Sequence, residues 1–216
     1  MRITVFGATG GVGGEIVRQA LAAGHEVTAV VRDAARLRAP AVAGPGAGSL
    51  SVVEADPSRS ESLYEAVDGR DAVLSGLGAR KSSDAGITTR LTRSVLSAMA
   101  ARGTRRLLVV SAAPLGRAPA DEPLGDRAAA VLVGVVFRKV YADLRTMEAE
   151  LERSSADWTS VRPPRLTNDP ATGVYRTEIG GNPRSARTIA RADVAHAMLA
   201  LVDDPASVRK AVGVAY

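Results

Sequence analysis

Short apolar runs alternate along the chain with longer stretches whose apolar residues recur every three or four positions. The longer stretches predict helices, and in the first of them Val12, Ile16 and Ala20 share one face. The short runs predict strands at residues 3–6, 27–31, 50–53, 71–74 and 107–110. The last of these is rich in Leu and Val, so we expect it to be buried on both faces. This alternation is typical of an α/β fold with a doubly wound, mostly parallel sheet and helices on both of its faces.

Turn-forming residues separate these elements. Residues 34–37 predict a short helix, and residues 39–48, rich in Gly, Pro and Ala, predict a loop. Asp56 is expected to act as the N-cap of a helix whose first position is the following proline. Ser83 or Asp84 is expected to cap a long helix whose apolar positions include Ile87, Leu91, Val95 and Met99.

The second half of the chain is less regular, and we expect it to add a small elaboration on the substrate side of the sheet. Its predicted elements are a loop at 114–126, strands at 158–161 and within 173–179, a helix at 192–201 and a last edge strand at 211–214. An apolar stripe at helical spacing also runs through Phe137, Val140, Tyr141, Leu144, Met147 and Leu151. Because no internal repeat or linker interrupts the pattern, residues 1–216 are predicted to form one domain.

Composition excludes several classes of chemistry. The 216 residues are 46% hydrophobic and 24% charged, as in an ordinary globular protein, and they include no cysteine. Disulfides, thiolate metal sites and a cysteine nucleophile are therefore excluded, and the presence of only two histidines, His25 and His196, makes a histidine-based zinc site implausible. The longest apolar run, 128–137, is far shorter than the roughly 20 residues of a membrane span. A strand begins at once, which leaves no room for a signal peptide, so we expect a cytoplasmic protein without membrane contact.

The positive charge is unusual in kind, because only Lys81, Lys139 and Lys210 among the 28 basic residues are lysines. The arginines are scattered, and aromatic residues make up 3% of the chain. A nucleic-acid-binding protein more often has a basic stripe, with aromatic rings that stack on single strands. The formal charge of +5 is therefore better explained by compositional bias, and we expect a small-molecule partner.

The glycine-rich segment after the first strand is the strongest motif. It runs Gly7-Ala8-Thr9-Gly10-Gly11-Val12-Gly13-Gly14 and leads directly into the first helix. Glycines at this point allow a tight turn and a close approach of backbone amides to a pyrophosphate, which the helix N-terminus attracts. No Lys-Ser or Lys-Thr pair follows, so a phosphate loop of the NTPase type is disfavoured. We expect residues 7–12 to bind a dinucleotide.

The end of the second strand indicates which dinucleotide is bound. NAD sites usually carry an acidic residue there that binds the ribose hydroxyls. This chain has Arg32 instead, with Arg36 one helical turn further on, and a guanidinium suits a 2′-phosphate. Asp33 is adjacent, and Arg32 could also be a solvated residue at a strand end. The sequence favours NADP(H) over NAD(H).

Other predicted strand ends supply further candidates. Asp56 could contact the adenine edge or act only as a cap. The segment Ser75-Gly76-Leu77-Gly78 could pass close to the adenosine ribose or the phosphates. Ser111, followed by Ala112, could face the nicotinamide, although a serine at a strand end often only forms a turn.

Together Gly7-x-x-Gly10-x-x-Gly13, Arg32, Ala55-Asp56, Ser111 and Trp158-Thr-Ser-Val-Arg162-Pro163-Pro164 resemble an atypical short-chain dehydrogenase/reductase. The similarity is strongest to the NAD(P)H-binding branch with NmrA-like proteins and the biliverdin reductase B/flavin reductase type. It covers the whole chain, including Ile189-Ala-Arg-Ala-Asp193-Val-Ala. The resemblance implies a Rossmann fold, NADP(H), and nicotinamide contacts from the turn Arg162–Leu166, which contains Pro163 and Pro164.

The chain departs from the classical superfamily at its catalytic pair. That pair is Tyr-x-x-x-Lys, but here Tyr141 is followed four residues later by Arg145, which cannot exchange a proton. Tyr141 also lies in the apolar stripe, so it is a candidate both for catalysis and for packing. Ser111 is the other catalytic candidate. An ordinary carbonyl reductase is therefore disfavoured.

Three functions remain open. The first is an NADPH-dependent reductase that passes hydride to a planar, electron-poor acceptor such as a flavin, quinone or tetrapyrrole. Residues 128–137, with Arg138, Lys139 and Arg165 nearby in sequence, would cover that acceptor, or they would form a buried helix. The second is a non-catalytic NADP(H)-binding sensor, and the third is an NAD(P)-dependent epimerase or dehydratase. The length fits a monomer or a small homo-oligomer.

Overall fold

The computed structural model describes residues 1–37, 46–78, 86–117 and 119–216, and for residues 129–132 only the backbone. Within these residues the strands are β1 (Arg2–Phe6), β2 (Glu26–Val31), β3 (Leu50–Glu54), β4 (Ala72–Ser75), β5 (Arg106–Val110), β6 (Asp157–Arg162), β7 (Arg165–Thr167), β8 (Arg176–Ile179), β9 (Thr188–Ala190) and β10 (Lys210–Ala215). The helices are α1 (Gly11–Ala22), α2 (Tyr64–Val67), α3 (Ile87–Arg102), α4 (Leu124–Val136), α5 (Arg138–Arg153) and α6 (Arg191–Ala200).

The described part of the chain contains one large sheet with the strand order β3-β2-β1-β4-β5-β6-β10-β8. Every neighbouring pair in it is parallel except β10 and β8, which are antiparallel. Strands β7 and β9 form a separate parallel pair. The order reverses between β1 and β4, and in such sheets ligands bind beyond the carboxyl ends of the strands at that point. The predicted doubly wound α/β fold is confirmed.

Helices cover both faces of the sheet. On one face α1 and α6 bury Ile16, Val17, Val194 and Met198 in one apolar cluster. On the other, α3 and α5 bury residues such as Val95, Met99, Met147 and Leu151. Each such side chain contributes about 1.5–3 kcal/mol when it is fully buried. Strand β5 places Leu108 in the first cluster and Leu107 in the second, so the prediction that it is buried on both faces is confirmed.

Four predictions about elements need correction. The helix expected to begin after Asp56 is not there, because Pro57 and Ser58 form a turn and helical structure begins at Ser60. Strand β10 is not at the edge, since β8 pairs with it from outside. The loop predicted over 114–126 ends early because α4 begins at Leu124. The burial proposed for 128–137 is wrong where side chains are described, with Val135 64% and Val136 67% exposed.

The short helix predicted at 34–37 is a 3-10 turn, Ala34–Arg36, whose N-cap is Asp33. The proposed caps Ser83 and Asp84, and most of the loop predicted at 39–48, lie outside the described residues. No helix in the part of the chain that the structure describes has the length and hydropathy needed to cross a bilayer.

Candidate functional site

A cavity of about 680 Å³ lies along the carboxyl ends of the central strands. This volume is within the range of about 300–1,000 Å³ typical of small-molecule sites. The turns after β1, β4 and β5 contribute to its wall, together with the ends of β2 and β6 and residues of α3 and α5.

Most of the predicted cofactor residues line this cavity. They are Gly7, Thr9, Gly10, Gly11, Val12, Arg32, Asp56, Gly76, Leu77, Gly78, Ser111, Ala112, Pro163 and Pro164, and the catalytic candidate Tyr141 joins them. Ala8, Arg36, Ser75 and Arg162 do not belong to the lining. The fold therefore brings together residues that are far apart in sequence, while their contacts with a cofactor stay predictions.

The glycines hold the turns after β1 and β4 in close contact. Gly7 has a φ of +75°, and a Cβ there would lie 2.8 Å from the carbonyl carbon of Gly76. A Cβ on Gly13 would lie only 2.2 Å from the carbonyl oxygen of Gly7. The amide of Gly10 donates to that same oxygen at 2.8 Å. Helix α1 thus begins at the cavity wall, where the amides of its first turn have no acceptor within the helix.

Arg32 and Asp56 lie at one end of the cavity. Arg32 is exposed. Asp33 is the N-cap of the 3-10 turn Ala34–Arg36, and its Oδ1 accepts from the amide of Ala35 at 3.0 Å. Asp56 Oδ1 accepts from the amide and hydroxyl of Ser58 at 2.9 and 2.8 Å. These two hydrogen bonds hold the pKa of Asp56 below its usual value, and the nearby arginines lower it further. Asp56 therefore shapes a turn at the cavity wall.

Ser111 and Tyr141 form part of the wall on the β5 and α5 side. Among the described residues, Ser111 Oγ is buried and has no hydrogen-bond partner, while its amide donates to Val161 O at 2.7 Å. A buried hydroxyl without a partner is rare in folded proteins, so its position in a cavity wall fits a polar ligand group. Tyr141 is half-buried, and this burial raises the pKa of its phenol.

The chemistry of these residues suits a dinucleotide, in agreement with the expectation from the sequence. The glycine turn offers backbone amides without a side chain in the way, and the exposed Arg32 offers a guanidinium at the end of β2. The unpartnered hydroxyl of Ser111 supplies a polar group at the end of β5.

The side chain of Arg162 contacts Glu148 and does not line the cavity, although the resemblance implies a nicotinamide contact from its turn. Its Nε and Nη2 donate to the two carboxylate oxygens of Glu148 at 2.9 and 2.6 Å. The hydroxyl of Ser160 donates to the same carboxylate at 2.7 Å. This largely buried pair ties β6 to α5, whereas Pro163 and Pro164 face the cavity. The guanidinium of Arg162 therefore acts here as a structural group.

Asp143 fixes the two helices that supply much of the wall. Helix α3 starts after Gly86 without a side-chain cap of its own. Asp143, on α5, accepts instead from the amides of Thr88 and Thr89 at 3.0 and 3.1 Å and from the hydroxyl of Thr89 at 2.6 Å. Because α3 contributes Arg90 and Leu91 to the cavity and α5 contributes Tyr141, this contact joins the two helices that supply these lining residues.

Sequence reasoning missed several lining residues. They are Pro57, Ser58, Ile87, Arg90, Leu91, Val140, Leu144 and Arg191, together with apolar residues of the strand ends. Leu166, which also lines the cavity, belongs to the turn that the resemblance assigns to the nicotinamide. Some of them lay in elements that the hydrophobic pattern had located, such as the stripe with Val140 and Leu144. Arg90 carries no distinguishing local signal in the sequence. Arg191 lies in the segment Ile189-Ala-Arg-Ala-Asp193-Val-Ala that contributes to the resemblance, but that segment alone does not place it at the cavity.

Comparison with known proteins agrees with this geometry. The model of a family described as NAD(P)H-binding matches residues 7–205. The uncharacterized protein YwnB of Bacillus subtilis is 29% identical over 216 residues, which cover 95% of this chain and 93% of that protein. The chloroplastic protein At2g34460 of Arabidopsis thaliana is 29% identical over 178 residues and 80% of this chain, and the match spans only 61% of its length.

Solved structures have the same fold. A short-chain dehydrogenase/reductase from Veillonella parvula in complex with NADP has a TM-score of 0.76, covering 100% of this chain and 94% of that one, at 20% identity. A candidate NADH-flavin reductase from Streptococcus pneumoniae has a TM-score of 0.74 over 100% and 99% of the two chains, also at 20% identity. At such identities the likeness concerns the fold.

Proposed function

Because this chain belongs to the NAD(P)H-binding family, we propose that it is an NADPH-dependent reductase whose hydride acceptor is planar and electron-poor, such as a flavin, a quinone or a tetrapyrrole. The observation that carries the choice of acceptor is the environment of Tyr141. Its phenol is half-buried at the cavity wall, and burial raises its pKa, whereas a neighbouring lysine would lower it. Arg145, one turn further on, is exposed and cannot exchange a proton. The site therefore suits acceptors that take their proton from water.

The chain's own groups have separable tasks in this proposal. The glycine turn at Gly7 and Gly10 receives the diphosphate, and Arg32 binds the 2′-phosphate. The hydroxyl of Ser111 orients the nicotinamide, and Val140 and Leu144 keep water from that end of the cavity. Bound NADPH supplies the hydride, and the protein supplies orientation and a dry surface.

The acceptor is tested by NADPH oxidation with a panel of FMN, FAD, riboflavin, a naphthoquinone and biliverdin. We expect turnover with at least one planar compound and none with a simple aliphatic ketone. A ketone that is reduced faster than every planar compound contradicts the proposal, as does oxidation at the background rate with the whole panel.

Cofactor choice is tested at Arg32. Arg32→Asp should weaken NADPH binding about 10- to 100-fold, because a hydrogen-bonded charge pair is lost, and should change NADH binding little. Arg36→Asp makes the same charge change outside the cavity lining and should cost less. Titration of both variants by intrinsic or nucleotide fluorescence measures the effect. Unchanged NADPH affinity in Arg32→Asp assigns the 2′-phosphate to another residue.

A sensor that binds NADP(H) without turnover is the second candidate. The exposed apolar residues Val135, Val136 and Phe137 favour it, because they adjoin the cavity residues Val140 and Tyr141 and offer a surface for a partner. A large difference between the affinities for NADP⁺ and NADPH, with no turnover of any acceptor, is the result expected of a sensor.

A further inference from the structure

Arg191, the first residue of α6, lies against the start of α1. A Cβ built on Gly11 would lie 2.5 Å from Cδ and 2.8 Å from Nε of Arg191, so the arginine occupies the space that a side chain at position 11 would need. Its Nη1 donates to Thr167 O at 3.1 Å and to Asn168 Oδ1 at 2.7 Å. These two acceptors hold the partly buried guanidinium over Gly11, at the cavity wall.

A cation is electrostatically unfavourable in this position unless an anion accompanies it. Gly11 begins α1 and Arg191 begins α6, and helix N-termini carry partial positive charge. Within the described residues the ion pairs shorter than 4.0 Å all involve other arginines. Asp193, in the first turn of α6, accepts instead from Thr172, Gly173 and Tyr216.

The remaining donors of the guanidinium are suited to such an anion. Both recorded hydrogen bonds use Nη1, and in the described part of the chain Nε and Nη2 have no acceptor. The first-turn amides of α1 also lack acceptors within their helix. An anion beside Gly11 would therefore meet charge-assisted donors from α6 and amide donors from α1.

We propose that Arg191 binds the diphosphate of the dinucleotide beside Gly11, together with the first-turn amides of α1. This inference rests on the proposed function, since it concerns the same cavity. Arg32 and Arg191 then have different tasks: Arg32 binds the 2′-phosphate, and Arg191 binds the diphosphate. Glycine at position 11 leaves the space in which the side chain of Arg191 lies.

The first test separates the two anionic groups by the choice of ligand. Arg191→Gln should weaken NADPH and 2′-phospho-ADP-ribose about 10- to 100-fold, as expected for lost hydrogen bonds to a charged group. It should leave the affinity for adenosine 2′-phosphate, which has no diphosphate, within about twofold. Arg32→Asp should weaken all three ligands. Calorimetric titration gives the affinities, and thermal unfolding checks that each variant is folded.

The second test uses the contact with Gly11. Gly11→Ala should weaken NADPH binding because the new Cβ displaces the arginine side chain. In the background Arg191→Ala the same change should have little further effect, since the obstructing atoms are gone. Effects that simply add in the double variant overturn the idea that Gly11 acts through Arg191.

The outcomes distinguish this inference from the function on which it rests. If the wild-type protein binds neither NADPH nor NADH, both fail. If the wild type binds NADPH and Arg191→Gln binds it equally well, the inference alone is overturned. An equal loss for NADPH and adenosine 2′-phosphate also overturns it, because Arg191 would then act on the shape of the whole cavity.

Discussion

Gly13 and Gly14 are adjacent residues of α1 with very different surroundings. A Cβ on Gly13 would meet the backbone of Gly7, with 2.2 Å to its carbonyl oxygen, and backbone cannot move aside as a flexible side chain can. A Cβ on Gly14 would lie 3.4 Å from Ala8 O, which is ordinary contact. The two positions therefore separate the effect of close packing from the effect of glycine in a helix.

We expect Gly13→Ala to lower the free energy of unfolding by at least about 2 kcal/mol and to weaken NADPH binding, because the turn after β1 must shift. Gly14→Ala is the matched control and should be neutral or stabilising by up to about 1 kcal/mol, as alanine is favoured over glycine in helices. Urea unfolding and a binding titration check both. Equal destabilisation by the two variants contradicts the close-packing role.

Ser160 lies in β6, and Ser111 directly follows the neighbouring strand β5. Both serines are buried. Ser160 Oγ donates to Glu148, whereas Ser111 Oγ has no partner among the described residues. Ser160→Ala should lower the free energy of unfolding by about 1.5–3 kcal/mol because a hydrogen bond to a charged group is lost. Ser111→Ala should not lower the stability of the free protein, yet it should weaken NADPH binding or slow hydride transfer several-fold. A destabilised Ser111→Ala protein with unchanged cofactor binding contradicts a ligand-facing role.

At the scale of elements, the contact between α3 and α5 depends on one carboxylate. Asp143 caps α3 from another helix, since Gly86 offers no side chain for this purpose. Burial disfavours the charge, but the hydrogen bonds from Thr89 and Thr88 outweigh it and hold the pKa of Asp143 below its usual value. The start of α3 is thus set by tertiary structure.

Asp143→Asn should lower the free energy of unfolding by about 1–3 kcal/mol, because an amide can accept on only one of its two terminal atoms. Glu152→Gln removes a charge from an exposed position on the same helix and should stay within about 0.5 kcal/mol of the wild type. Denaturant unfolding of both variants measures the difference, and equal effects would show that the charge of α5, rather than the cap, matters.

For the whole molecule, two buried aspartates make stability depend on pH. Burial opposes the charge of Asp193, but hydrogen bonds from Tyr216, Thr172 and Gly173 hold its pKa below the usual value, as for Asp143. A carboxyl group whose pKa is lowered by folding stabilises the fold at pH values above its unfolded-state pKa of about 3.9. This stabilisation is lost as the pH falls through the folded-state pKa. Both contributions are therefore fully present at neutral pH and disappear in acid.

We expect the free energy of unfolding to fall as the pH is lowered from about 4 toward the folded-state pKa values of these two residues. Asp193→Asn should be less stable than the wild type at pH 7 and should lose less stability in that acid range, because its amide does not titrate. Urea unfolding at several pH values measures the slope. The same acid slope in the variant and the wild type means that other carboxyl groups dominate.

The sequence by itself determined features that depend on near neighbours. The period of the apolar residues located the strands of the sheet, including β5 buried on both faces, and the glycine run located the turn at the start of α1. The order of strand, turn and helix also sufficed to predict the α/β fold. Arg32 was identifiable as a site candidate because its position after β2 follows from the same local order.

Tertiary structure decided whatever depends on partners distant in sequence. Strand β10 became internal because β8 returns to pair with it, and the turn at Asp56 replaced a predicted helix start. The guanidinium of Arg162 donates hydrogen bonds to Glu148, and the side chain of Arg191 packs against Gly11. No local pattern encodes these contacts, because the energy of a buried charge or a close backbone approach depends on which groups the folded sheet brings beside it.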